Sequence, residues 1–252
     1  MPVSAVSDGP FPASSNEDDT PWVSVSDLMS GLMVVFLCIA VLFMREQARS
    51  ISQQKQIAEA YSQVQGDLAQ DLAKELDAAE LERWGAELAG DGLVVRFKDP
   101  SAMFTGGDAT LTPGFKVILK DFFPQLLAVL QKDAFRSHVR EVRIEGHTSS
   151  EWVNGRNKLG PSEAYLPNMK LSQDRALSVL TYVMTISPKG ADTEVDLRKW
   201  LRANGLSSSQ LVKSEGTDDE DPVRSRRVEF RVVTDAEDSM RLIVDQVTGA
   251  AR

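Results

Sequence analysis

The segment VREVRIEGH, residues 139–147, decides the fold class of the C-terminal half of the chain. Its apolar residues Val139, Val142 and Ile144 recur among charged residues as they do on the inward face of a β-strand. The segment RRVEFRVV, residues 226–233, alternates in a similar way. Both segments therefore predict β-strands that bury one face.

Strands and helices are predicted to alternate on either side of this segment. The elements in chain order are a strand over 93–97, a helix over 112–130, the strand over 139–147, a helix over 171–184, a short helix over 197–203 and the strand over 226–233. Thr112, followed by Pro113, and Ser172 are expected to cap the two longer helices. This order predicts an α/β domain with a βαβαβ core, in which helices cover one side of a small mixed sheet.

Residues 21–44 are almost entirely apolar and predict one transmembrane helix. The stretch from Trp22 to Met44 measures about 34 Å as a helix, which matches a tilted crossing of a bilayer. A signal peptide is the competing interpretation, but signal peptides begin with basic residues, and no Lys or Arg precedes Arg45. We therefore expect a retained anchor that follows a disordered tail over 1–20.

One acid, Asp27, lies at the start of the apolar run, where an ionised carboxylate costs several kcal/mol in hydrocarbon. Ser24, Ser30 and Gly31 share its helix face at offsets of three and four residues. They form a small, partly polar strip that a partner helix can approach closely. In the alternative interpretation Asp27 caps the helix above the hydrocarbon, since residues 28–44 alone would span about 26 Å.

Residues 45–89 are polar and helix-favouring, and they predict a helical stalk before a domain over 90–234 and a tail over 235–252. Apolar residues spaced by three, four or six positions form a narrow stripe on the stalk: Ile51, Ile57, Tyr61, Val64, Leu68, Leu72 and Leu76. Such a stripe is typical of a parallel, dimeric coiled coil. A solvated linker helix is the alternative.

The composition argues against several classes of function. Of the 252 residues, 37 are acidic and 28 are basic, which gives a net charge of −9 and argues against a general nucleic-acid surface. The single cysteine, Cys38, lies in the apolar run, so no intrachain disulfide is possible. The chain has no C-x-x-C, H-E-x-x-H, Walker or G-x-G-x-x-G motif. We therefore expect neither an enzyme nor a bound cofactor or metal.

Three ordered motifs carry a resemblance to a known family. IEGHTSS at 144–150, NMKLSQDRA at 168–176 and SRRVEF at 225–230 resemble the G-H-T-D, N-x-x-L-S-x-x-R-A and N-R-R-V-E patterns of OmpA-like peptidoglycan-binding domains. MFTGGDATLTPGF at 103–115 is similar to the opening of those domains. The resemblance covers about 90–233 and implies both that fold and peptidoglycan as the ligand.

In that family an Arg and an Asp clamp the zwitterionic end of diaminopimelate, with the guanidinium on a carboxylate. The resemblance implies peptidoglycan binding by five residues: Arg175, Asn168, Leu171, Thr148 and Ser149. Ser149 stands where the family has its Asp, and Glu151 follows two positions later. Ser225 replaces the Asn before the paired arginines. His147 is expected to pack at the end of its strand, and Leu171 has the alternative of being a core residue.

An anchor, a stalk and an OmpA-like domain in this order resemble the MotB-type B subunits of ion-driven rotary stators. The run S-D-L-M-x-G-L-M at 26–33 is similar to that of ZorB subunits of Zorya anti-phage systems. The resemblance implies that Asp27 translocates the driving ion, and a lone carboxylate with few further oxygen ligands favours a proton over sodium. It also implies a homodimer inside a ring-forming multi-span partner like ZorA, expected to be pentameric. Flagellar stators and passive wall tethers remain as alternatives.

Two signals disagree on the orientation of the anchor. Arg45, Arg49 and Lys55 follow the apolar run and no basic residue precedes it, a bias that by itself favours a cytoplasmic C-terminal domain. The family resemblance implies the reverse, a single pass through the bacterial inner membrane with a cytoplasmic N-terminus and a periplasmic domain. We adopt the second orientation because a peptidoglycan-binding domain has no ligand in the cytoplasm.

Overall fold

The computed structural model describes residues 20–154 and 157–235. The predicted tails, 1–20 and 235–252, lie outside the described residues except for one residue each. The chain divides into two compact units, 1–55 and 56–252.

In the first unit every described residue is helical and belongs to helix α1 (Thr20–Glu75). Within the described ranges, Val25–Arg49 is long and apolar enough to cross a membrane. Its large side chains are exposed, among them Leu28, Phe36 and Phe43. An apolar surface of this extent suits lipid or partner helices better than water. The predicted apolar N-terminal helix is therefore confirmed.

The second unit contains the end of α1 and all remaining elements. They are α2 (Ala78–Trp84), β1 (Ala86–Ala89), β2 (Val94–Phe97), α3 (Pro100–Met103), α4 (Pro113–Leu130), α5 (Asp133–Arg136), β3 (Val139–His147), β4 (Trp152–Asn154), β5 (Asn157–Leu159), α6 (Pro161–Ile186), α7 (Ala191–Trp200), β6 (Leu201–Gly205), α8 (Pro222–Ser225) and β7 (Arg227–Thr234). Five strands form one sheet in the order β1-β2-β7-β3-β6, and β4 pairs with β5 separately. Strand β6 is parallel to β3, whereas the other neighbours in the large sheet are antiparallel. The predicted α/β class with a small mixed sheet is confirmed.

The core lies between the large sheet and its helices. Phe230 on β7 contacts Phe97 on β2 and Phe122 on α4, with ring centroids 5.9 and 5.0 Å apart in edge-on geometry. Val142 and Ile144 on β3 are buried in the same cluster. A register shift between Val139 and Glu141 brings Val139 into this core, which explains the irregular alternation at the start of the strand.

Helix α4 begins as the sequence predicts, but helix α6 does not. The side chain of Thr112 accepts a hydrogen bond from the backbone N–H of Phe115 at 3.1 Å. Helix α6 starts at Pro161, and Glu163 accepts from the backbone N–H of Gly160 at 3.4 Å. The predicted cap at Ser172 is therefore wrong: this residue is buried inside the helix, because the Gly-Pro start lies eleven residues earlier.

The short helix predicted over 197–203 is also wrong in its second half. Helix α7 ends at Trp200, and Leu201–Gly205 forms β6. Five consecutive residues of this segment pair with β3 from Val142 to Gly146. Pairing with a central strand has overridden the local helical pattern.

The stripe predicted for a coiled coil is corrected at its C-terminal end. Leu68, Leu72 and Leu76 have no exposed surface and belong to the core of their own domain. Val64 packs partly against the same core, and Ile51 is exposed. These three leucines are thus unavailable to a second chain, and residues from 68 onward pack with the domain predicted to start at 90. The side chains of the predicted stripe residues at 57 and 61 lie outside the described part of the chain.

Candidate functional site

A cavity of about 400 Å³ lies beyond the carboxyl end of β3 and beside helix α6. All five positions predicted to bind peptidoglycan line it: Arg175, Asn168, Leu171, Thr148 and Ser149. Leu171 is half-buried and absent from the described core cluster, so its side chain belongs to the cavity wall. The structure thus brings together residues that are up to 27 positions apart in sequence.

Close contact between α6 and the sheet fixes one wall of the cavity. A Cβ on Gly146 would lie 2.3 Å from the carbonyl oxygen of Ser172, so only glycine allows this approach. The hydroxyl of Ser172 accepts a hydrogen bond from the backbone N–H of Ser207 at 3.0 Å. The carbonyl of Ser207 accepts from the backbone N–H of Thr148 at 2.9 Å. Strand β3, helix α6 and the segment after β6 therefore hold the 148–151 loop together.

Asn168 holds this loop directly. Its side-chain amide donates to the carbonyl oxygens of Ser149 and Glu151 at 3.1 and 3.3 Å. Its side chain is almost completely buried. The amide nitrogen therefore shapes the cavity, whereas the sequence pattern implied direct contact with a ligand.

Arg175 is 8% exposed and has few partners. Its Nε donates to the carbonyl oxygen of Asp108 at 3.1 Å, and its Cζ lies 4.8 Å from the ring centroid of Phe104. No carboxylate among the described residues forms an ion pair with it. Burial, and then the charge of Arg226, lower the pKa of Arg175 below its ordinary value, although Asp108 opposes this shift. This buried guanidinium group therefore has no carboxylate at ion-pair distance among the described residues, and Asp108 offsets its charge only in part.

Arg226 is a cavity residue that the sequence analysis missed. It lines the cavity, and its Nη1 lies 3.4 Å from Oγ of Ser149. The signal was present, because Arg226 is the first of the paired arginines in SRRVEF. Arg226 precedes β7, so the alternation of that strand could not predict which way its side chain points. Phe104, which also lines the cavity, and Asp108, whose carbonyl oxygen accepts from Arg175, were missed as well, although both lie in the motif at 103–115.

Glu151, the acid two positions after Ser149, forms an ion pair with a lysine of the same chain. Glu151 lines the cavity, and its Oε1 lies 2.6 Å from Nζ of Lys158. The hydrogen bond and charge of Lys158 lower the pKa of Glu151. The described cavity lining therefore contains two arginines and one carboxylate that has its own cation.

A second polar cluster lies on the sheet. His147 is almost fully buried at the end of its strand, and neither ring nitrogen has a hydrogen-bond partner among the described residues. Its Nε2 lies 3.8 Å from Glu145 and 3.9 Å from Glu229. These three side chains are close enough together for a metal ion, but Arg227 and Arg231 pair with the carboxylates at 2.6 and 3.1 Å. This donor set suits an ion-pair network rather than a cation site.

The residues predicted around Asp27 lie on helix α1 at the expected spacing. The hydroxyl of Ser30 donates to the carbonyl oxygen of Ser26 at 2.8 Å. A Cβ on Gly31 would meet no atom within 4 Å among the contacts described. The side chain of Ser24 lies outside the described part of the structure. The helix thus offers a small-residue surface beside its acid.

The structure defines one helix that is long and apolar enough to cross a membrane, followed by an α/β domain with a cationic cavity. The chain belongs to the ZorB family: it is 42% identical over 235 residues to the Zorya protein ZorB of Escherichia coli strain Crooks, across 92% of this chain and 95% of that protein. A Zorya protein ZorB from another Escherichia coli strain is 26% identical over 230 residues, 86% of this chain and 82% of that one. No family model matches the chain. A MotB-like protein from Desulfovibrio vulgaris is a structural neighbour at 21% identity, with a TM-score of 0.42 over 72% of this chain and 98% of that one.

Proposed function

We propose that the folded domain binds peptidoglycan in the cavity and that the chain is the wall-anchored subunit of a membrane motor. The observation that supports the binding function is the buried guanidinium of Arg175, which has no ion-pair partner among the described residues. An isolated buried charge costs several kcal/mol, so it persists where a ligand supplies the opposite charge. A stem-peptide carboxylate matches the planar fork of guanidinium donors.

The same proposal assigns ion transfer to Asp27. A carboxylate near the start of the apolar segment of α1, with Ser30 and Gly31 on its face, suits close contact with helices of a partner protein. The partner is a ring-forming multi-span protein like ZorA, expected to be pentameric, and two copies of this chain enter the ring through their anchors. The ion is a proton, the N-terminus is cytoplasmic, and the domain is periplasmic. The motor acts in defence against phages.

Binding to purified sacculi tests the first part of the proposal. The full chain in detergent should sediment with sacculi, and Arg175→Ala should lose most of this binding while its melting temperature does not fall. Arg198→Ala is the matched control, because Arg198 is exposed on α7 and its ion pair with Glu194 lies at the surface. Equal sedimentation of Arg175→Ala and the wild type would remove Arg175 from the binding site.

A further inference from the structure

Two cationic side chains line the cavity, together with one hydroxyl group that has no hydrogen-bond partner among the described residues. Arg175 and Arg226 both line it, and Arg226 reaches to 3.4 Å from Oγ of Ser149. Thr148 also lines it, and its hydroxyl is buried with no hydrogen-bond partner among the described residues. Guanidinium groups can only donate hydrogen bonds, and a hydroxyl can donate as well. The three groups therefore suit an acceptor with negative charge.

The acids close to the cavity already face donors of this chain. Glu151 pairs with Lys158 at 2.6 Å. Glu220 accepts from the backbone N–H of Ser150 at 3.0 Å. Asp108 is exposed and accepts from the backbone N–H of Ala109 at 2.7 Å. An ammonium group that entered the cavity would therefore meet two guanidinium groups before it met an unengaged carboxylate.

We infer that the cavity selects the carboxylates of a stem peptide and does not require a free amine, an inference that rests on the proposed function. Diaminopimelate carries a carboxylate and an amine at the end of its side chain, and the amine is protonated at neutral pH. Two guanidinium groups repel this ammonium at short range. Acylation of the amine, as in a wall cross-link, removes the positive charge and leaves the carboxylate. The domain therefore binds cross-linked stems at least as tightly as free ones.

Two soluble probes separate these forms of the ligand. One is a disaccharide tripeptide with a free diaminopimelate amine, and the other is the same compound acetylated on that amine. Titration calorimetry with the full chain in detergent should give an affinity for the acetylated probe that is equal or higher. Ser149→Asp adds a carboxylate beside Arg226 and should shift the preference about tenfold towards the free amine. Arg226→Gln, which removes one cation, should shift it in the same direction.

A matched control and three outcomes make the test decisive. Thr185→Asp adds the same charge on an exposed part of α6, outside the cavity lining, and should leave the preference unchanged. A wild-type chain that binds the free-amine probe about tenfold more tightly overturns the inference and leaves the proposed function in place. An unchanged preference in both Ser149→Asp and Arg226→Gln also overturns it. A wild-type chain that binds neither probe overturns the proposed function together with the inference.

Discussion

Glu229 is buried on the sheet among three arginines. The Nε atoms of Arg227 and Arg96 lie 2.6 and 2.8 Å from its Oε1, and Nη2 of Arg231 lies 3.1 Å from its Oε2. Burial alone would raise the pKa of Glu229, but the hydrogen bond and charge of Arg227, together with Arg96, outweigh burial and lower the pKa to about 2. The folded chain therefore holds this carboxylate ionised more strongly than the unfolded chain does.

Replacement of this acid should change both the stability and its pH dependence. We expect Glu229→Gln to destabilise the domain by about 3 kcal/mol at neutral pH, because Arg227 then stays buried without its counter-charge. The folded-state pKa lies below the ordinary value of 4.5, so the stabilisation is fully present above that value and is lost as the pH falls towards 2. Urea denaturation at neutral pH and at about pH 3.5 should show a larger loss in the wild type than in the variant. Equal losses would contradict this role of Glu229.

The cavity shows what sequence motifs predict at single residues and what they leave out. Arg175 and Ser149 hold motif positions, so their place at the site could be predicted. Asn168 holds a motif position as well, but the structure gives its amide nitrogen to the 148–151 loop. Arg226 lies just outside a strand, and its direction depends on the loop that presents Ser149. Motif position predicts membership of a site, whereas the partner of each atom depends on tertiary contacts.

At the scale of elements, the end of helix α1 is part of the domain core. Leu72 has no exposed surface, so Leu72→Ala should leave a cavity and lower the free energy of unfolding by about 3 kcal/mol. Ile51→Ala on the same helix is the control, since Ile51 is 59% exposed and should not affect domain stability. Denaturation of both variants measures the difference. An unchanged stability of Leu72→Ala, with loss of cross-linking between chains, would restore the coiled-coil interpretation.

The close contact between β3 and α6 forms one wall of the cavity, and it leaves no space for a side chain at Gly146. Gly146→Ala would place a Cβ 2.3 Å from a backbone carbonyl oxygen, so α6 must move away from the sheet. We expect lower thermal stability and loss of sacculus binding together. Gly114→Ala, where a Cβ meets nothing within 4 Å, should change neither. Normal binding by Gly146→Ala would show that the cavity does not depend on this contact.

Elements with their own local signals were predictable, and elements defined by their neighbours were not. Thr112 followed by a proline marks the start of α4, and the alternation of Val228, Phe230 and Val232 marks the core-facing side of β7. The prediction that this strand buries only one face is wrong, because Arg227 and Glu229 on the other face are buried as an ion pair. Strand β6 has five residues and gains its identity from pairing with β3. The leucines at the end of α1 are spaced four residues apart. This spacing is compatible both with a coiled coil and with a helix that faces the core of its own domain. Such spacing predicts that a face is buried and does not say which surface covers it.

At the scale of the whole molecule, the chain combines two different chemistries. Unit 1–55 carries an acid near the start of the apolar segment of α1, and unit 56–252 carries the cationic cavity. The likeness to the ZorB of Escherichia coli strain Crooks extends over 92% of this chain, so it includes residues of both units. A wall tether needs only the cavity, whereas a motor needs the acid as well. The function of Asp27 therefore separates the two.

Phage plaque counts in cells that carry the complete defence system test this distinction most directly. Asp27→Asn keeps the size and much of the hydrogen bonding of the side chain but has no titratable proton. Asp27→Glu keeps the carboxylate and displaces it by about one methylene. Asp67→Asn, an exposed acid on the same helix beyond the apolar segment, is the matched control. With equal expression and partner pull-down, we expect Asp27→Asn to give no protection, Asp27→Glu to give part of it, and Asp67→Asn to protect fully. Full protection by Asp27→Asn would contradict ion transfer and leave the chain as a passive wall anchor.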